Sequence, residues 1–195
     1  MSYNSSEMKK ILFIFSTTDG HTHKITQSIA ADFADECDIT LKKVDDTTAE
    51  DLNLHHHIVI GASIRYGNHQ PKLMRFIKDN RDVLVTKNAA FFSVNAVARK
   101  AEKNRPNTNP YVQKFIKKTG WIPKEVDVFA GVIDYPKYHF IDKHMIKFIM
   151  WITGGPTDTN GTFEFTDWER VKELTKKLKA SFSEEYMLLL ANLFI

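Results

Sequence analysis

Residues 10–22, Lys-Ile-Leu-Phe-Ile-Phe-Ser-Thr-Thr-Asp-Gly-His-Thr, carry the pattern that decides the fold. The run Lys10–Phe15 is short, apolar and rich in β-forming residues, as expected of a strand buried on both faces. Ser16–Thr22 is a turn of hydroxyl side chains and one glycine, and apolar residues then recur at helical spacing over Thr22–Ala34. A buried strand, a tight turn and an amphipathic helix predict the start of a parallel βαβ unit.

The same alternation continues along the chain and predicts one α/β domain. Further strands are predicted at Ile39–Val44, Ile58–Ala62, Asn88–Val94 and Val126–Val132, and helices at Pro71–Leu84, Pro110–Lys118 and Asp167–Phe182. Five such strands predict a three-layer sandwich, with a parallel sheet in the order 2-1-3-4-5 between two layers of helices. We expect residues 1–8 to be a flexible terminus, 9–182 the domain, 134–153 a long insertion after strand five, and 183–195 an apolar tail.

The composition excludes several classes of protein and marks one basic segment. A chain of 195 residues, 43% hydrophobic and 26% charged, is neither a disordered segment, a collagen-like repeat nor a coiled coil. The net charge is +3, but residues 97–147 hold eleven Lys or Arg against five Asp or Glu. Such a segment is either a solvated face or a site for an anionic partner. No nucleic-acid-binding motif accompanies it, so we expect no nucleic-acid partner.

The single cysteine, Cys37, excludes an internal disulfide and a multi-cysteine zinc site. It lies between Glu36 and Asp38, so we expect a half-buried residue without reactivity, in a reducing cytoplasm. The first apolar run is too short for a signal peptide, and no stretch reaches the length of a membrane span. The tail Tyr186–Ile195 could dock on the core, touch a membrane, or be foreign to the natural chain.

The turn Ser16–Thr22 is the first candidate site. In an open parallel sheet, ligands bind beyond the carboxyl ends of the strands, and hydroxyls with free N–H groups at a helix N-terminus bind anions. The turn lacks both Gly-x-Gly-x-x-Gly and Gly-Lys-Ser/Thr, so a mononucleotide phosphate is the expected ligand. Asp19 is unexpected beside a dianion, and we expect it to cap backbone N–H groups or to face away. An ordinary turn with a helix cap is the simpler alternative.

Two further loops lie at the same predicted edge. In Gly61–Gly67, glycines permit close backbone approach, Tyr66 can lie against a planar ring, and Arg65 can meet an anion. In Ser93–Lys100, backbone amides and Asn95 can bond the polar edge of a heterocycle. The triplet His55–His57 lies at the opposite edge, and we expect a solvated strand entry there and no metal site.

Together these loops carry a family resemblance. Ser16–Thr22 resembles the Ser/Thr-x-Thr-x-Gly-x-Thr phosphate loop of flavodoxins. The resemblance to the flavodoxin-like, menaquinone-dependent protoporphyrinogen IX oxidases of bacterial haem synthesis is carried by Ile60–Gly67, Phe92–Lys100, Asp142–Lys147 and Thr166–Trp168.

The resemblance implies FMN as cofactor, and oxidation of protoporphyrinogen IX with menaquinone or ubiquinone as acceptor. It also implies a cytoplasmic protein held at the inner-membrane surface. The residues expected to bind FMN are Ser16, Thr17, Thr18, Asp19, Gly20, His21 and Thr22 at the phosphate, and Ser63, Arg65, Tyr66, Ser93, Val94 and Asn95 at the isoalloxazine. The candidates for the substrate propionates are the basic residues Arg99, Lys100, Lys137 and Lys143, with Arg65 a further one. No catalytic base is assigned.

The insertion has a pattern of its own. Ile141, Met145, Phe148, Ile149 and Ile152 fall on one face of a predicted helix, with Lys143 and Lys147 on another. A basic amphipathic helix suits a membrane surface or a hydrophobic ligand, whereas a helix simply packed on the domain is the alternative. A flavodoxin-type electron carrier, a quinone reductase and a non-enzymatic membrane module remain as alternative functions.

Overall fold

The structure, a computed structural model, describes the backbone of residues 9–193 and the side chains of residues 9–183. The strands are β1 (Lys9–Ser16), β2 (Cys37–Lys43), β3 (His57–Arg65), β4 (Asn68–His69), β5 (Asn88–Val94), β6 (Glu125–Phe129), β7 (Val132–Asp134) and β8 (Thr162–Glu164). The α-helices are α1 (His21–Ala31), α2 (Ala49–Leu54), α3 (Pro71–Asp79), α4 (Arg81–Leu84), α5 (Pro110–Thr119), α6 (Phe140–Ile152) and α7 (Trp168–Leu193).

The main sheet has the predicted topology. Its long strands run parallel in the order β2-β1-β3-β5-β6, and the short β4 pairs antiparallel with β3. The chain moves from β1 outward to β2 and then back across to β3, so the winding direction reverses between β1 and β3. Ligand clefts form at such a reversal, because the two connections diverge beyond the carboxyl ends of the strands. The expected α/β fold and strand order are confirmed.

Alternate residues of β1 pack into two hydrophobic cores, one on each face of the sheet. Ile11 and Phe13 pack with residues of α1 and α7, whereas Leu12 and Ile14 pack with residues of α2, α3 and α5. All four side chains are fully buried. A strand covered on both faces must be apolar throughout, which is why the pattern of Lys10–Phe15 identified an interior strand of the sheet.

The ends of several predicted elements differ from those in the structure. The helix predicted over 71–84 is divided at Asn80, whose Nδ2 donates to the Phe76 carbonyl and so terminates α3. The fifth strand of the parallel sheet ends at Phe129, and Val132 instead begins β7. The last helix continues to Leu193, because no glycine or proline follows Phe182 to stop it.

The insertion is longer than the predicted residues 134–153, since it extends from β7 to β8, residues 132–164. β7 and β8 form an antiparallel ribbon, and α6 lies between them in sequence. A satellite core of Ile133, Tyr135, Tyr138 and Met150 holds the insertion together. β8 has only three residues and follows a glycine- and proline-rich turn, so no periodicity marked it as a strand.

Three expectations about other segments have different outcomes. Cys37 is buried in the core beside α1 and α7, more deeply than expected, and burial raises the pKa of its thiol. The flexible terminus predicted for residues 1–8 lies outside the described residues, as do the side chains of the tail from residue 184 onward. The solvated strand entry predicted for 55–57 is wrong for His55 and His57, which are both buried.

The two buried histidines have structural contacts. His55 bonds the Asp51 carbonyl and the Thr40 hydroxyl, and the His57 ring stacks on Phe182. Among the residues that the structure describes, no group of three potential ligands could hold a metal ion.

Candidate active site

A cleft that is open to solvent lies beyond the carboxyl ends of β1, β3 and β5, with α6 on its far side. Most predicted cofactor and substrate residues from three loops meet here. Its walls include Thr17, Asp19, His21, Thr22, Ser63, Arg65, Tyr66, Val94, Asn95 and Arg99. These residues are brought together by the parallel strands, whose carboxyl ends share one edge.

The turn between β1 and α1 presents an open helix N-terminus to this cleft. Gly20 precedes α1 at a φ of 85°, and no side chain caps the helix. The Gly20 N–H donates to Thr17 Oγ1 over 3.0 Å, which shapes the turn. Thr22 is 1% exposed, and its buried hydroxyl has no hydrogen-bond partner among the described residues. A buried hydroxyl without a partner is costly, so an anion at this helix terminus suits the site.

Gln70, which the sequence analysis did not single out, braces that turn. Its Nε2 donates to the Thr17 carbonyl at 3.2 Å and to Thr18 Oγ1 at 3.4 Å. Its Oε1 accepts from Ser16 Oγ at 2.9 Å. Gln70 therefore links the start of α3 to the phosphate loop. No local motif reveals this role, since the partners are more than 50 residues away in the chain.

A hairpin, also missed, presents Tyr66 at the cleft. β3 turns into β4 through Tyr66 and Gly67, at φ values of 49° and 74°. Two positive φ values at the centre of a two-residue turn define a tight hairpin that suits the twist of the strands. A bulky residue rarely adopts this conformation. Tyr66 is 51% exposed at the tip, where the Arg65 guanidinium lies 5.3 Å from its ring centroid and the exposed part of the ring can meet a planar ligand.

Arg65 joins three parts of the cleft. Its guanidinium donates to Asp19 of the phosphate loop at 2.9 and 3.1 Å, and to Asp142 of α6 at 2.7 Å. The Tyr66 hydroxyl also donates to Asp142, and with Arg65 it lowers the pKa of that carboxyl. The expectation that Asp19 caps backbone N–H groups or faces away is thus corrected: its carboxylate pairs with Arg65. The charge of Arg65 is balanced by these two carboxylates, and the two ion pairs connect α6 to the phosphate loop.

Behind the loop Ser93–Lys100 (the fourth loop, after β5) lies a buried polar network. Ser93 is fully buried, and its Oγ contacts His69 Nε2 at 3.2 Å and Asn95 Nδ2 at 3.3 Å. Asn95 Oδ1 accepts from the Ala98 N–H and so shapes the loop. Burial, assisted by the Lys114 cation, lowers the pKa of His69 to about 4. Ser93 therefore lies one layer below the cleft surface and supports the loop that Val94 and Asn95 contribute.

His21 faces the C-terminal part of the domain. Its Nε2 contacts Thr166 Oγ1 at 2.6 Å, and burial lowers the pKa of the ring. Its imidazole is therefore neutral at neutral pH. What His21 can offer an anion is its backbone N–H at the start of α1.

The four predicted propionate ligands have different surroundings. Arg99 donates to the Ala96 carbonyl at 2.8 Å and to the carbonyl and hydroxyl of Thr153, so it clamps the fourth loop to the end of α6. Lys137 pairs with Asp134 at 2.8 Å. Lys100 and Lys143 do not line the cleft.

Further cleft residues come from α5, from the insertion and from the segment before α7. The aromatic side chains of Tyr111, Tyr138 and Phe165, with the apolar Ile146, Ile149 and Met150, form the wall opposite the phosphate loop. Tyr138 and the residues of α6 lie in the insertion, where the basic and amphipathic pattern of the sequence already suggested a hydrophobic ligand or a membrane surface. Tyr111 comes from α5, and nothing local distinguishes it.

Comparison with known proteins identifies the family. Residues 12–160 match the flavodoxin domain family model Flavodoxin_5. A Leishmania major protein named protoporphyrinogen IX dehydrogenase [quinone] is 40% identical over 90% of this chain and 77% of its own. An Escherichia coli K12 protein of that name is 38% identical over 87% of this chain and 94% of its own. The fold is also that of two-electron reduced Megasphaera elsdenii flavodoxin, with a TM-score of 0.50 and 14% identity over 60% of this chain and 84% of that one. This chain thus belongs to the flavodoxin domain family and, within it, to the oxidoreductase family of the protoporphyrinogen IX dehydrogenases (quinone).

Proposed function

We propose that this protein binds FMN and oxidises protoporphyrinogen IX to protoporphyrin IX in haem biosynthesis, with a membrane quinone, menaquinone or ubiquinone, as acceptor. The observation that carries the proposal is the 40% identity, over nearly the whole chain, to a relative named for this reaction. The cleft supports it, since its lining combines hydroxyl residues of the turn before α1 with aromatic and apolar residues of α5, α6 and the segments beside them.

The phosphate end of FMN fits the turn between β1 and α1. The unpartnered Thr22 hydroxyl and the uncapped N-terminus of α1 offer donors to an anion there. Gln70 holds the Thr17 carbonyl, which keeps this turn in one shape. In the proposal Thr17, Thr18, Gly20, His21 and Thr22 hold the phosphate, Ser16 braces the turn through Gln70, and Asp19 acts through Arg65.

The ring end of FMN fits between the Tyr66 hairpin and the fourth loop. Tyr66, with its exposed ring, bounds one side, and Val94 with Asn95 bounds the other. Ser63 lies beside them, its Oγ directed to the Ser16 carbonyl at 3.4 Å. When bound, FMN supplies the hydride-accepting chemistry that the side chains lack. The protein positions the ring, and the apolar wall from α6 limits water at the site.

The exposed face of α6 supports attachment at a membrane surface. Phe140, Ile141, Phe148, Trp151 and Ile152 are between 58% and 76% exposed. A helix simply packed on the domain would bury this face. In this structure the buried residue of α6 is Met150, and the five residues of the face are exposed. The cations Lys143 and Lys147 flank the face, and apolar burial plus attraction to anionic lipid is the binding mode of interfacial helices.

In this proposal the inner-membrane surface is the partner of α6 and the source of the quinone. Within the described part of the chain, no helix is long and apolar enough to cross a bilayer.

The test is anaerobic oxidation of protoporphyrinogen IX by the FMN-loaded protein with a menaquinone or ubiquinone analogue, followed by porphyrin fluorescence. We expect quinone-dependent growth of fluorescence well above the rate without protein. FMN-free protein is the control for spontaneous oxidation. Bound FMN without any quinone-dependent growth would overturn the enzymatic proposal and favour a flavodoxin-type electron carrier.

A further inference from the structure

A second cavity is a groove that runs between α3 and α5, beside the Tyr66 hairpin. It adjoins the flavin cleft, because Ile64, Gly67 and Tyr111 line both. The groove is therefore continuous with the place where a substrate must approach the flavin.

Four cations line this groove. Arg75 and Lys78 project from α3, and Lys114 and Lys118 from α5. Lys114 is engaged, since its Nζ donates to the Gly67 carbonyl and to Asn68 Oδ1. Arg75, Lys78 and Lys118 are exposed, and none forms an ion pair with the residues that the structure describes. A single acid, Asp79, lines the groove beside them.

The floor of the groove is apolar. Met74 and Phe115 line the groove together with the cations, and Phe115 is a buried residue stacked on Phe91 of the core. An apolar floor with cationic edges is complementary to a flat apolar ligand with anionic groups at its edge. Simple phosphate would use the cations and leave the floor uncovered.

We propose that this groove is the carboxylate-binding subsite of the substrate, holding the two propionates of the tetrapyrrole while its ring system reaches past Tyr111 to the flavin cleft. The inference rests on the proposed function, and it assigns propionate recognition to Arg75, Lys78 and Lys118. It moves that role away from Arg99 and Lys137, whose charged groups are occupied within the chain. The neighbouring propionates of protoporphyrinogen IX lie on one edge of the macrocycle, which matches cations placed on both sides of one groove.

The test compares binding of protoporphyrin IX with that of its dimethyl ester, in the same detergent, to the FMN-loaded protein. The variant is the triple substitution Arg75→Gln, Lys78→Gln and Lys118→Gln. The matched control replaces Lys43, Lys117 and Lys176, all exposed and outside the groove, with Gln and so has the same net charge. Flavin absorbance and circular dichroism verify that both variants fold and retain FMN.

We expect the groove variant to bind protoporphyrin IX at least about tenfold more weakly, since hydrogen bonds to charged groups are lost. Its affinity for the dimethyl ester should stay within about twofold of the unsubstituted protein, and the control should match that protein for both ligands. A parallel rise in KM for protoporphyrinogen IX, with kcat little changed, would support the same conclusion.

The proposed function and the groove can fail separately. Equal affinity of the groove variant and the control for protoporphyrin IX would overturn the groove assignment, even if the unsubstituted protein oxidises protoporphyrinogen IX. An unsubstituted protein without oxidase activity would overturn the proposed function, and the difference between acid and ester binding would still decide the groove.

Discussion

At the scale of single residues, two buried polar side chains, one in the wall of the cleft and one beneath a neighbouring loop, distinguish the site from ordinary core. Thr22 has a buried hydroxyl without a partner among the described residues, and His69 is a buried imidazole bonded to Ser93. A buried polar group without full compensation is unfavourable. Thr22 therefore lowers the stability of the FMN-free protein, and His69 lowers the stability of the protein at acidic pH. Each therefore has a measurable signature.

The first residue-scale prediction concerns Thr22. Thr22→Val keeps the shape and removes the unpartnered hydroxyl, so the FMN-free protein should gain about 1 kcal/mol in the free energy of unfolding. FMN affinity should fall about tenfold, because one phosphate donor is lost. Urea unfolding and flavin fluorescence titration measure the two effects.

Thr26→Val is the matched control for that substitution. Thr26 is buried on the same helix, but its hydroxyl donates to the Thr22 carbonyl and does not line the cleft. This variant should keep its FMN affinity. Unchanged FMN affinity in Thr22→Val would contradict the placement of the phosphate.

The second residue-scale prediction concerns pH. The pKa of His69 is lowered to about 4 in the folded protein, against about 6.5 when unfolded. Between these values the unfolded state takes up a proton that the folded state does not. The part of the free energy of unfolding that comes from neutral His69 is therefore fully present above pH 6.5 and is lost as the pH falls toward 4. The free energy of unfolding should drop by about 1.4 kcal/mol per pH unit, about 3 kcal/mol by pH 4.

His69→Gln should flatten that part of the stability profile, measured by urea unfolding from pH 7 to pH 4.5. The absolute stability of the variant is not the readout, because Gln alters the contact with Ser93. Substitution of the exposed His56 should leave the slope as it is. A His69→Gln profile as steep as that of the unsubstituted protein would show that other groups cause the dependence.

At the scale of elements, the insertion helix α6 is attached to the domain by few contacts. Asp142 joins it to Arg65 and Tyr66, Met150 anchors it in the satellite core, and Arg99 bonds Thr153 at its end. Its remaining apolar face is exposed. A helix held in this way can open locally at a smaller free energy than the sheet.

Asp142→Asn should loosen α6. The variant loses the charge that pairs with Arg65, so backbone amides of residues 140–152 should exchange with deuterium several-fold faster, while those of β1 and β3 keep their rates. Asp158→Asn is the control, since Asp158 lies outside α6 and its carboxylate accepts a hydrogen bond from the nearby Asn160 N–H. Unaltered exchange in α6 would mean that Met150 and Arg99 hold the helix without Asp142.

The exposed face of α6 leads to a prediction about lipid. The double substitution Phe148→Ser and Trp151→Ser removes two large apolar side chains from that face, so sedimentation with anionic vesicles should weaken at least about tenfold. Leu54→Ser with Ile122→Ser is the control, because both residues are exposed and lie outside α6. Equal loss in the two variants would indicate general hydrophobicity and remove α6 as the membrane face.

At the scale of the whole molecule, the cleft joins segments that are distant in the chain. Arg65 bonds residues 46 and 77 positions away, and His21 contacts Thr166. A ligand that fills the cleft contacts the loops of three strands at once. It should therefore stabilise the domain as one unit.

FMN at a concentration of about 100 times its Kd should raise the free energy of unfolding by about 2.7 kcal/mol, in a single cooperative transition. Riboflavin at the same concentration lacks the phosphate and should stabilise the protein less. Thermal unfolding with each ligand is the measurement. If riboflavin and FMN stabilised it equally, the turn between β1 and α1 would not be the phosphate site.

The sequence by itself determined the sheet, its strand order and the edge at which the cleft opens. These follow from local properties: Lys10–Phe15 is apolar because it is covered on both faces, and Ser16–Thr22 combines hydroxyls with the glycine that its turn requires. The tertiary structure alone decided the bracing role of Gln70, the pairing of Asp19 and Asp142 with Arg65, and which cations stay unpaired along the groove. The physical reason is that side-chain pairing depends on distances between residues far apart in the chain, and local periodicity holds no information about those distances.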